Sequence, residues 1–326
     1  MSTFITFVSQ CCYNLKQKIW KKKTKCVFDE AIFPSNNYIV YNKYKINPIT
    51  VIKFNEQNII DTIGEGGSAV VYKYIDNNKL YACKKQTKNI LSIEREIEIM
   101  KKYKQHKHLP MYFDSYVDNS TNLHRSLRYH YIFMEYCQGQ ELFQHIKQDF
   151  DFELATNIIY QLLTAVKHLQ KYNIIHSDIK LENIIIDQNN QIKLIDFGLS
   201  RVLPEYENCV RLNRYIGTIG YISPESILFN YVNLKTDIWS IGILYFILLN
   251  NHHVFNVVNS NNYKYQLSNI HSMPATKFNI NNITLTSTKK RINILRFLTK
   301  TICYEKDRYT IKECLNSKVF KNVVKV

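Results

Sequence analysis

One short stretch constrains the fold of this 326-residue chain more than any other. Residues 173–187 read N-I-I-H-S-D-I-K-L-E-N-I-I-I-D, a run of isoleucines that also holds His176, Asp178, Lys180, Glu182 and Asn183. Such an apolar run is expected to be buried, and burying charge without partners costs several kcal/mol. Either the fold supplies partners for these side chains, or the stretch is an ordinary polar loop between a helix and a short strand. The stretch alone does not decide between the two.

The composition suits a folded protein with one large domain or two lobes, since 45% of the residues are hydrophobic. No run of about 18 or more uncharged apolar residues occurs, so we expect no transmembrane segment. The longest candidate, Ile238 to Leu249, is too short to cross a bilayer and is predicted to be a buried core helix. No apolar segment follows a basic start, as in a secretory leader, and no C-x-x-C pair indicates a zinc cluster. We therefore expect an intracellular protein, cytoplasmic or nuclear.

The chain carries an excess of positive charge. Its 43 Lys and Arg residues against 27 Asp and Glu give a formal net charge of +16, and such an excess favours an anionic partner. Residues 16–25, K-Q-K-I-W-K-K-K-T-K, hold six lysines and no acid. The basic N-terminal extension, residues 1–50, is interpreted as an anchor for nucleic acid or a membrane surface, as a nuclear-import signal, or as a solvated arm without a function of its own.

Glycine is scarce, and its positions are therefore informative. The eight glycines amount to about a third of average usage. They fall in five short motifs: G-E-G-G (64–67), C-Q-G (137–139), D-F-G (196–198), G-T-I-G (217–220) and S-I-G (240–242). In a chain with so little glycine elsewhere, these positions are expected to need a positive φ or a close approach of two backbones.

Six motifs follow one another in order along the chain. They are G-E-G-G-S-A-V-V (64–71), L-Y-A-C-K (80–84), H-S-D-I-K-L-E-N (176–183), D-F-G (196–198), S-P-E (223–225) and D-I-W-S-I-G (237–242). One glycine pattern is a weak signal, but the six together are specific. Across about residues 58–322 the chain resembles the eukaryotic-type serine/threonine protein kinases. It shows a weaker resemblance to kinases of large DNA viruses.

The resemblance implies an α+β fold with two lobes: a small antiparallel β lobe with one main helix, and a larger, mainly α-helical lobe. We expect the small lobe and the hinge over residues 51–137 and the large lobe over residues 138–326, after the basic extension of residues 1–50. ATP and Mg²⁺, with Mn²⁺ as an alternative metal, are expected in the cleft between the lobes.

The resemblance also implies which residues bind the nucleotide. They lie in the glycine-rich loop, in the strand that follows it, and in a hinge segment whose backbone contacts adenine. Ala69 departs from the family pattern, which has a third glycine there. The glycine-rich segment has an ordinary hairpin as its alternative interpretation. The hinge segment has a plain strand followed by the start of a helix as its alternative. The expected set is Ile63, Gly64, Glu65, Gly66, Gly67, Ser68, Ala69, Val71, Ala82, Lys84, Met134, Glu135, Cys137 and Glu141.

The family pattern assigns roles to the charged residues of the motifs. Lys84 is expected to contact the phosphates and to pair with Glu96, for which Glu94 and Glu98 are the rivals on the same predicted helix. Asp178 is expected to orient the acceptor hydroxyl and to accept its proton, and Lys180 to neutralise the transferred phosphoryl group. The expected catalytic set is therefore Lys84, Glu96, Asp178 and Lys180, and the expected metal ligands are Asn183 and Asp196.

The family pattern also implies three contacts that support the site, and this chain departs from the pattern at one position that bears on regulation. Ser177 stands where many regulated kinases have an arginine that binds an activation-loop phosphate, and residues 201–216 contain no Ser or Thr. We therefore expect activity without Ser/Thr phosphorylation of this segment. The expected contacts join Thr218 to Asp178 and Lys180, Glu225 to Arg308, and Asp237 to the backbone of residues 176–183.

The sequence thus predicts a protein kinase that phosphorylates Ser and Thr hydroxyls of protein substrates. Two alternatives stay open: a pseudokinase that acts as a scaffold, and a basic nucleic-acid-associated protein with a kinase-like body. The preferred substrate sequence also stays open, because Arg201, Arg211 and Arg214 favour acidic targets whereas Glu182 favours basic ones. The sequence does not indicate an oligomeric state.

Overall fold

The structure is a computed structural model that describes residues 52–66, 69–87, 90–118, 129–146, 151–270, 278 and 287–323, and the backbone of residues 26–28. Its strands are β1 (Cys26–Phe28), β2 (Ile59–Gly66), β3 (Ala69–Asp76), β4 (Lys79–Gln86), β5 (Tyr112–Asp118), β6 (Tyr129–Glu135), β7 (Gln140–Glu141), β8 (Ile174–Ile175), β9 (Ile184–Ile186), β10 (Ile192–Leu194), β11 (Arg201–Val202), β12 (Cys209–Arg211) and β13 (Tyr231–Val232). Its α-helices are α1 (Ile90–Lys102), α2 (Leu142–His145), α3 (Phe152–Gln170), α4 (Pro224–Phe229), α5 (Thr236–Asn250), α6 (Ser260–Ser268), α7 (Thr288–Thr301) and α8 (Ile311–Leu315).

The small lobe is a five-stranded antiparallel sheet in the order β2-β3-β4-β6-β5. Its two faces differ because successive side chains of a strand point to opposite sides. Ile132 joins the main core together with Ile93 of α1. The other face carries an aromatic-rich cluster that packs separately, with the buried residues Tyr74, Tyr81, Cys83, Tyr131 and Phe133.

The large lobe is built around α5, in which every residue is buried. The predicted core helix at Ile238 to Leu249 is thereby confirmed. Helices α3 and α7 pack against α5, and Gly242 permits the close approach of α7, since a Cβ atom at this position would overlap the side chain of Thr301. Within the described parts of the chain, none of the helices combines the length and the apolar character needed to span a bilayer. The predicted two-lobed α+β fold is confirmed.

The isoleucine-rich stretch divides into two strands and a loop. Helix α3 begins after Asp151, whose carboxylate accepts a hydrogen bond from the amide of Leu154 (2.7 Å), and it delivers the chain to β8. The isoleucines before His176 form β8 and those after Asn183 form β9, while the polar residues between them form the connecting loop. The apolar residues therefore anchor the loop in the core, and the polar residues need partners there.

A buried ion pair ties the first turn of α4 to the C-terminal part of the large lobe. Arg308 donates to both carboxylate oxygens of Glu225, at 2.7 and 2.9 Å, and both residues are 2% exposed. Burial alone would raise the pKa of Glu225, but the Arg308 guanidinium outweighs it and lowers the pKa. The expected contact between Glu225 and Arg308 is thus present. The expected lobe boundaries at residues 50 and 137 stay a prediction.

Removing Arg308 should destabilise the fold strongly. In the Arg308→Ala variant we expect the free energy of unfolding to fall by about 3–5 kcal/mol, because Glu225 would be left as a buried charge without its partner. The matched control is Glu153→Ala, which breaks the exposed pair with Lys290 (2.6 Å) and should cost less than about 1 kcal/mol. Urea denaturation of both variants checks this, and equal losses would contradict the role given to the buried pair.

Candidate active site

A cavity of about 620 Å³ lies between the sheet of the small lobe and the loops of the large lobe. Of the residues expected to bind nucleotide, Gly67 and Ser68 lie outside the described residues. All of the others line this cavity: Ile63, Gly64, Glu65, Gly66, Ala69, Val71, Ala82, Lys84, Met134, Glu135, Cys137 and Glu141. The sequence motifs, which are spread over more than 70 residues of chain, are therefore brought to one space.

The roof of the cavity is the hairpin of β2 and β3. Gly64 pairs with Val71 and Gly66 with Ala69, and the register shifts between Thr62 and Gly64. Such an irregularity lets a hairpin curve over a ligand. Ala69 has the smallest side chain after glycine, and it lines the cavity without blocking it. The departure from the family's third glycine is thus accommodated.

The hinge side of the cavity is fixed by Glu135. Its backbone N–H donates to the carbonyl of Met111 (2.8 Å), so only its carbonyl remains for the expected contact with adenine. Its carboxylate pairs with Lys193 at 2.6 Å and accepts from the amide of Met111 at 3.1 Å. Burial raises the pKa of the neighbouring Cys137 thiol to about 12. The thiol is therefore neutral at physiological pH.

Lys84 joins three elements at the back of the cavity. Its Nζ lies 2.5 Å from Glu96 of α1 and 2.8 Å from Asp196, which follows β10. Glu94 and Glu98, the rival partners, are exposed on α1. Burial by itself would lower the pKa of Lys84, but the carboxylates of Glu96 and Asp196 outweigh it and raise the pKa. Lys84 is therefore a fixed positive charge that faces the cavity.

Asp178 lies beside this cavity, at the centre of a hydrogen-bonded group. The hydroxyl of Thr218 donates to Oδ1 of Asp178 (2.7 Å) and accepts from Nζ of Lys180 (3.1 Å). The amide of Asn183 donates to Oδ2 of Asp178 (3.1 Å). These bonds hold the Asp178 carboxylate at one orientation. The expected contacts of Thr218 with Asp178 and Lys180 are present.

The loop that carries Asp178 is held from below by a buried carboxylate. Asp237 of α5 accepts the backbone N–H groups of His176 (2.8 Å) and Ser177 (2.9 Å). Burial raises the pKa of Asp237, while the His176 ring and these two N–H groups act in the opposite direction. Ser177 has a φ of +68°, a conformation that few side chains adopt without support. Asp237 provides that support, as the sequence indicated.

Asn183 and Asp196 suit a metal ion that prefers oxygen ligands. Both side chains line the cavity, and the Nδ2 of Asn183 is committed to the backbone carbonyl (2.8 Å) and the carboxylate of Asp178. The amide oxygen of Asn183 is therefore the atom left to coordinate. One carboxylate and one amide oxygen, completed by phosphate and water, match the ligands that Mg²⁺ takes in phosphate sites, and Mn²⁺ shares this preference.

Several apolar residues that line the cavity lie outside the set predicted from the sequence. Ile185 lies opposite the hairpin, in a strand whose neighbours Ile184 and Ile186 are buried in the core. A period of two would have identified Ile185, but a run of three isoleucines hides the alternation. The other apolar or aromatic side chains that were missed are Met100, Pro110, Tyr136, Ile195 and Phe197.

Comparison with known proteins agrees with this geometry. The family model for the protein kinase domain matches residues 57–320. An Aurora kinase of Eremothecium gossypii is 32% identical over 209 residues, which are 61% of this chain and 54% of that protein. The serine/threonine-protein kinase pakA of Dictyostelium discoideum is 31% identical over 57% of this chain and 15% of that protein. CBL-interacting protein kinase 26 of rice, Oryza sativa subsp. japonica, is 31% identical over 59% of this chain and 37% of that protein. The chain thus spans about half the length of the first relative and less of the other two.

Replacing Asp237 should loosen the loop around Ser177. An amide has one acceptor atom, so Asp237→Asn leaves one of the two N–H groups without its acceptor. A hydrogen bond to a charged group contributes about 1.5–3 kcal/mol, so hydrogen exchange at His176 and Ser177 should accelerate by about tenfold or more. The control is Asp187→Asn, which changes a turn outside this loop. Unchanged exchange at both amides in Asp237→Asn would contradict the support inferred here.

Proposed function

The chain belongs to the protein kinase family, and from this premise we propose that it transfers the γ-phosphoryl group of ATP to Ser and Thr hydroxyls of protein substrates. One observation carries the proposal: Nζ of Lys84 lies 2.5 Å from Glu96 and 2.8 Å from Asp196 at the back of the cavity between the lobes. A fixed cation and an exposed carboxylate at that place suit a triphosphate with its metal.

The transfer rests on position and charge more than on covalent chemistry. Asp178 orients the acceptor hydroxyl and accepts its proton, while Lys180 stabilises the negative charge of the moving phosphoryl group. Lys84 and the glycine-rich loop hold the nucleotide, and the oxygens of Asn183 and Asp196 hold the metal. Bound Mg²⁺ supplies charge neutralisation at the phosphates.

Two observations favour Ser and Thr as acceptors, and a third favours turnover over a scaffold role. Lys180 and Thr218 bond one another beside Asp178, which is the serine/threonine-type arrangement that the sequence indicated. The name of the Dictyostelium relative states a serine/threonine-protein kinase. A pseudokinase usually lacks one of the charged groups of the site, whereas in this chain Lys84 contacts both Glu96 and Asp196.

Two substitutions should abolish phosphotransfer while the chain still folds. Lys84→Met removes the cation and Asp196→Asn removes the exposed carboxylate, and each should lower kcat by about 100-fold or more, as removal of a preorganised charge does. The matched control is Lys85→Met: Lys85 is the next residue in β4, and its Nζ lies 4.4 Å from the ring of Tyr129 on the outer face of the sheet.

Transfer of ³²P from ATP to myelin basic protein measures the effect, with circular dichroism as the check on folding. We expect Lys85→Met to retain activity within about twofold, because Lys85 packs over aromatic rings on the outer face of the sheet and does not line the cavity. Full activity in folded Lys84→Met or Asp196→Asn would refute the proposed roles.

We also propose that residues 201–216, the segment that begins with β11, need no phosphate on Ser or Thr to be ordered. Its strand β11 pairs with β8, and β12 pairs with β13. Apolar side chains of the segment and of its neighbours form a small cluster of their own, which burial stabilises without any charge. The buried members are Ile175, Leu203, Val210, Leu212 and Val232.

The arginine that binds an activation-loop phosphate in the family pattern is absent here, and Arg201, the first residue of the segment, is engaged by backbone carbonyls. Ser177 replaces the arginine of the family pattern. The guanidinium of Arg201 is buried and donates to the carbonyls of Leu199 and Ser200, both at 3.0 Å. Strand pairing and apolar contacts therefore take the place of an arginine–phosphate contact.

Phosphatase treatment tests this part of the proposal. Enzyme purified in active form should keep its kcat and KM after treatment with a Ser/Thr phosphatase, because no phosphate contributes to the order of the segment. The phosphate content before and after treatment, measured by mass spectrometry, is the control. Loss of turnover that returns when Ser200, Thr218 or Ser223, the hydroxyl residues that flank residues 201–216, are phosphorylated would contradict it.

Three other expectations stay predictions. The basic extension of residues 1–50 lies outside the described residues except for β1, so its anionic partner, nucleic acid or membrane surface, is untested. An intracellular location, cytoplasmic or nuclear, and a viral origin are likewise untested.

A further inference from the structure

Three consecutive carbonyl groups beyond Thr218 accept hydrogen bonds from side chains of the large lobe. The carbonyl of Gly220 accepts from the Tyr263 hydroxyl (2.7 Å) and from Nε2 of His253 (3.1 Å). The carbonyl of Tyr221 accepts from the Ser240 hydroxyl (2.9 Å), and Tyr263 also lies 2.9 Å from the carbonyl of residue 222. Residues 219–222, named here the rim segment, are thus fixed through their backbone.

Among the side chains that bond the rim segment, His253 donates from a ring nitrogen, and its other contacts identify which nitrogen carries the proton. Its Nε2 donates to Gly220, and its Nδ1 accepts from the N–H of Phe255 (3.0 Å), which is one neutral tautomer. Burial lowers the pKa of His253, which favours that neutral form. A doubly protonated ring would donate from Nδ1 to the carbonyl of Phe255 (3.1 Å) instead. The bond to Gly220 is kept in both states.

Two bonds on one carbonyl are needed because Tyr263 has a single hydroxyl proton. That proton serves either Gly220 or Ile222 at any moment, so His253 keeps the Gly220 carbonyl satisfied when Tyr263 turns to Ile222. Gly220 has a φ of +101°, and a Cβ atom at this position would lie 3.2 Å from Nε2 of His253. The ring of His253 also packs edge-on against Tyr221, with centroids 6.0 Å apart.

The rim segment lies where a protein substrate would contact the large lobe. Thr218, one residue before the segment, donates to Asp178, so a protein that brings a hydroxyl to Asp178 lays its neighbouring residues against residues 219–222. The side chains of Ile219 and Tyr221 are partly exposed there. Neither His253 nor the rim segment lines the nucleotide cavity.

We propose that His253 is a positioning residue for the protein substrate, acting through the carbonyl of Gly220 to hold the rim segment in the orientation that accepts the chain beside the phosphorylated hydroxyl. This inference rests on the proposed kinase function and names a residue that the motifs do not include. If His253 has this role, its substitution should raise the KM for the protein substrate and leave the KM for ATP nearly unchanged.

Three substitutions of His253 distinguish the effect of its hydrogen bond to Gly220 from the effect of its other contacts. Glutamine can place an amide N–H where Nε2 stands, asparagine can place its amide only where Nδ1 stands, and alanine places neither. One hydrogen bond contributes about 1 kcal/mol. The KM for myelin basic protein should therefore rise by about fivefold in His253→Asn and His253→Ala and stay within about twofold in His253→Gln. The KM for ATP should not change in any of the three.

Hydrogen exchange provides a readout that needs no turnover. The amides of Tyr221 and Ile222 donate to the carbonyl of Thr218, at 3.0 and 3.1 Å, so they report the order of the rim segment. Their exchange should accelerate in His253→Asn and not in His253→Gln. Equal protein KM and equal exchange in these two variants would overturn the inference. A wild-type chain that transfers no phosphate would refute the proposed function instead, and the exchange rates would still decide the role of His253.

Discussion

The ion cluster of Lys84 is the interaction on which the rest of the site depends. It brings together a strand and a helix of the small lobe and the loop after β10 of the large lobe, through Glu96 and Asp196. Glu96 is 2% exposed and needs the ammonium, whereas the side chain of Asp196 is 44% exposed and stays hydrated. Two carboxylates against one ammonium leave a net negative charge beside the cavity. This net negative charge would attract a divalent cation, and a bound cation would in turn attract the phosphates of the nucleotide.

The remaining buried charges of the large lobe hold backbone in place. Asp237 binds the amides before Asp178, and Glu225 with Arg308 fixes the segment that follows Thr218. Side chains elsewhere in the large lobe complete this scheme by donating to the backbone carbonyls of the rim segment. Within the isoleucine-rich stretch of residues 173–187, His176, Asp178 and Lys180 have partners from other elements, which answers the cost of burying them. Asn183 bonds Asp178 of the same loop, and Oε2 of Glu182 is buried without a hydrogen-bond partner among the described residues. In the proposed kinase, the contribution of the large lobe is to position a few oxygens and nitrogens.

Much of this arrangement could be predicted from the sequence, because ordered motifs carry side chains whose roles require contact. The pairing of Lys84 with one glutamate of α1 and the burial of α5 are examples. Contacts made by residues outside motifs could not be predicted. Lys193 and Glu135 pair across 58 residues of chain, and His253 bonds a carbonyl 33 residues away. No local period or spacing encodes such pairs, since the fold alone brings them together.

In the proposed kinase, Lys84, Asp196 and Asn183 converge on a metal-bound triphosphate. Crystals grown with Mn²⁺ and a non-hydrolysable ATP analogue test this convergence directly through the anomalous signal of the metal. We expect a single strong peak within about 2.3 Å of oxygens of Asp196 and Asn183, with Nζ of Lys84 in contact with a phosphate oxygen. A metal bound elsewhere, or an analogue seated outside the cavity between the lobes, would contradict the account.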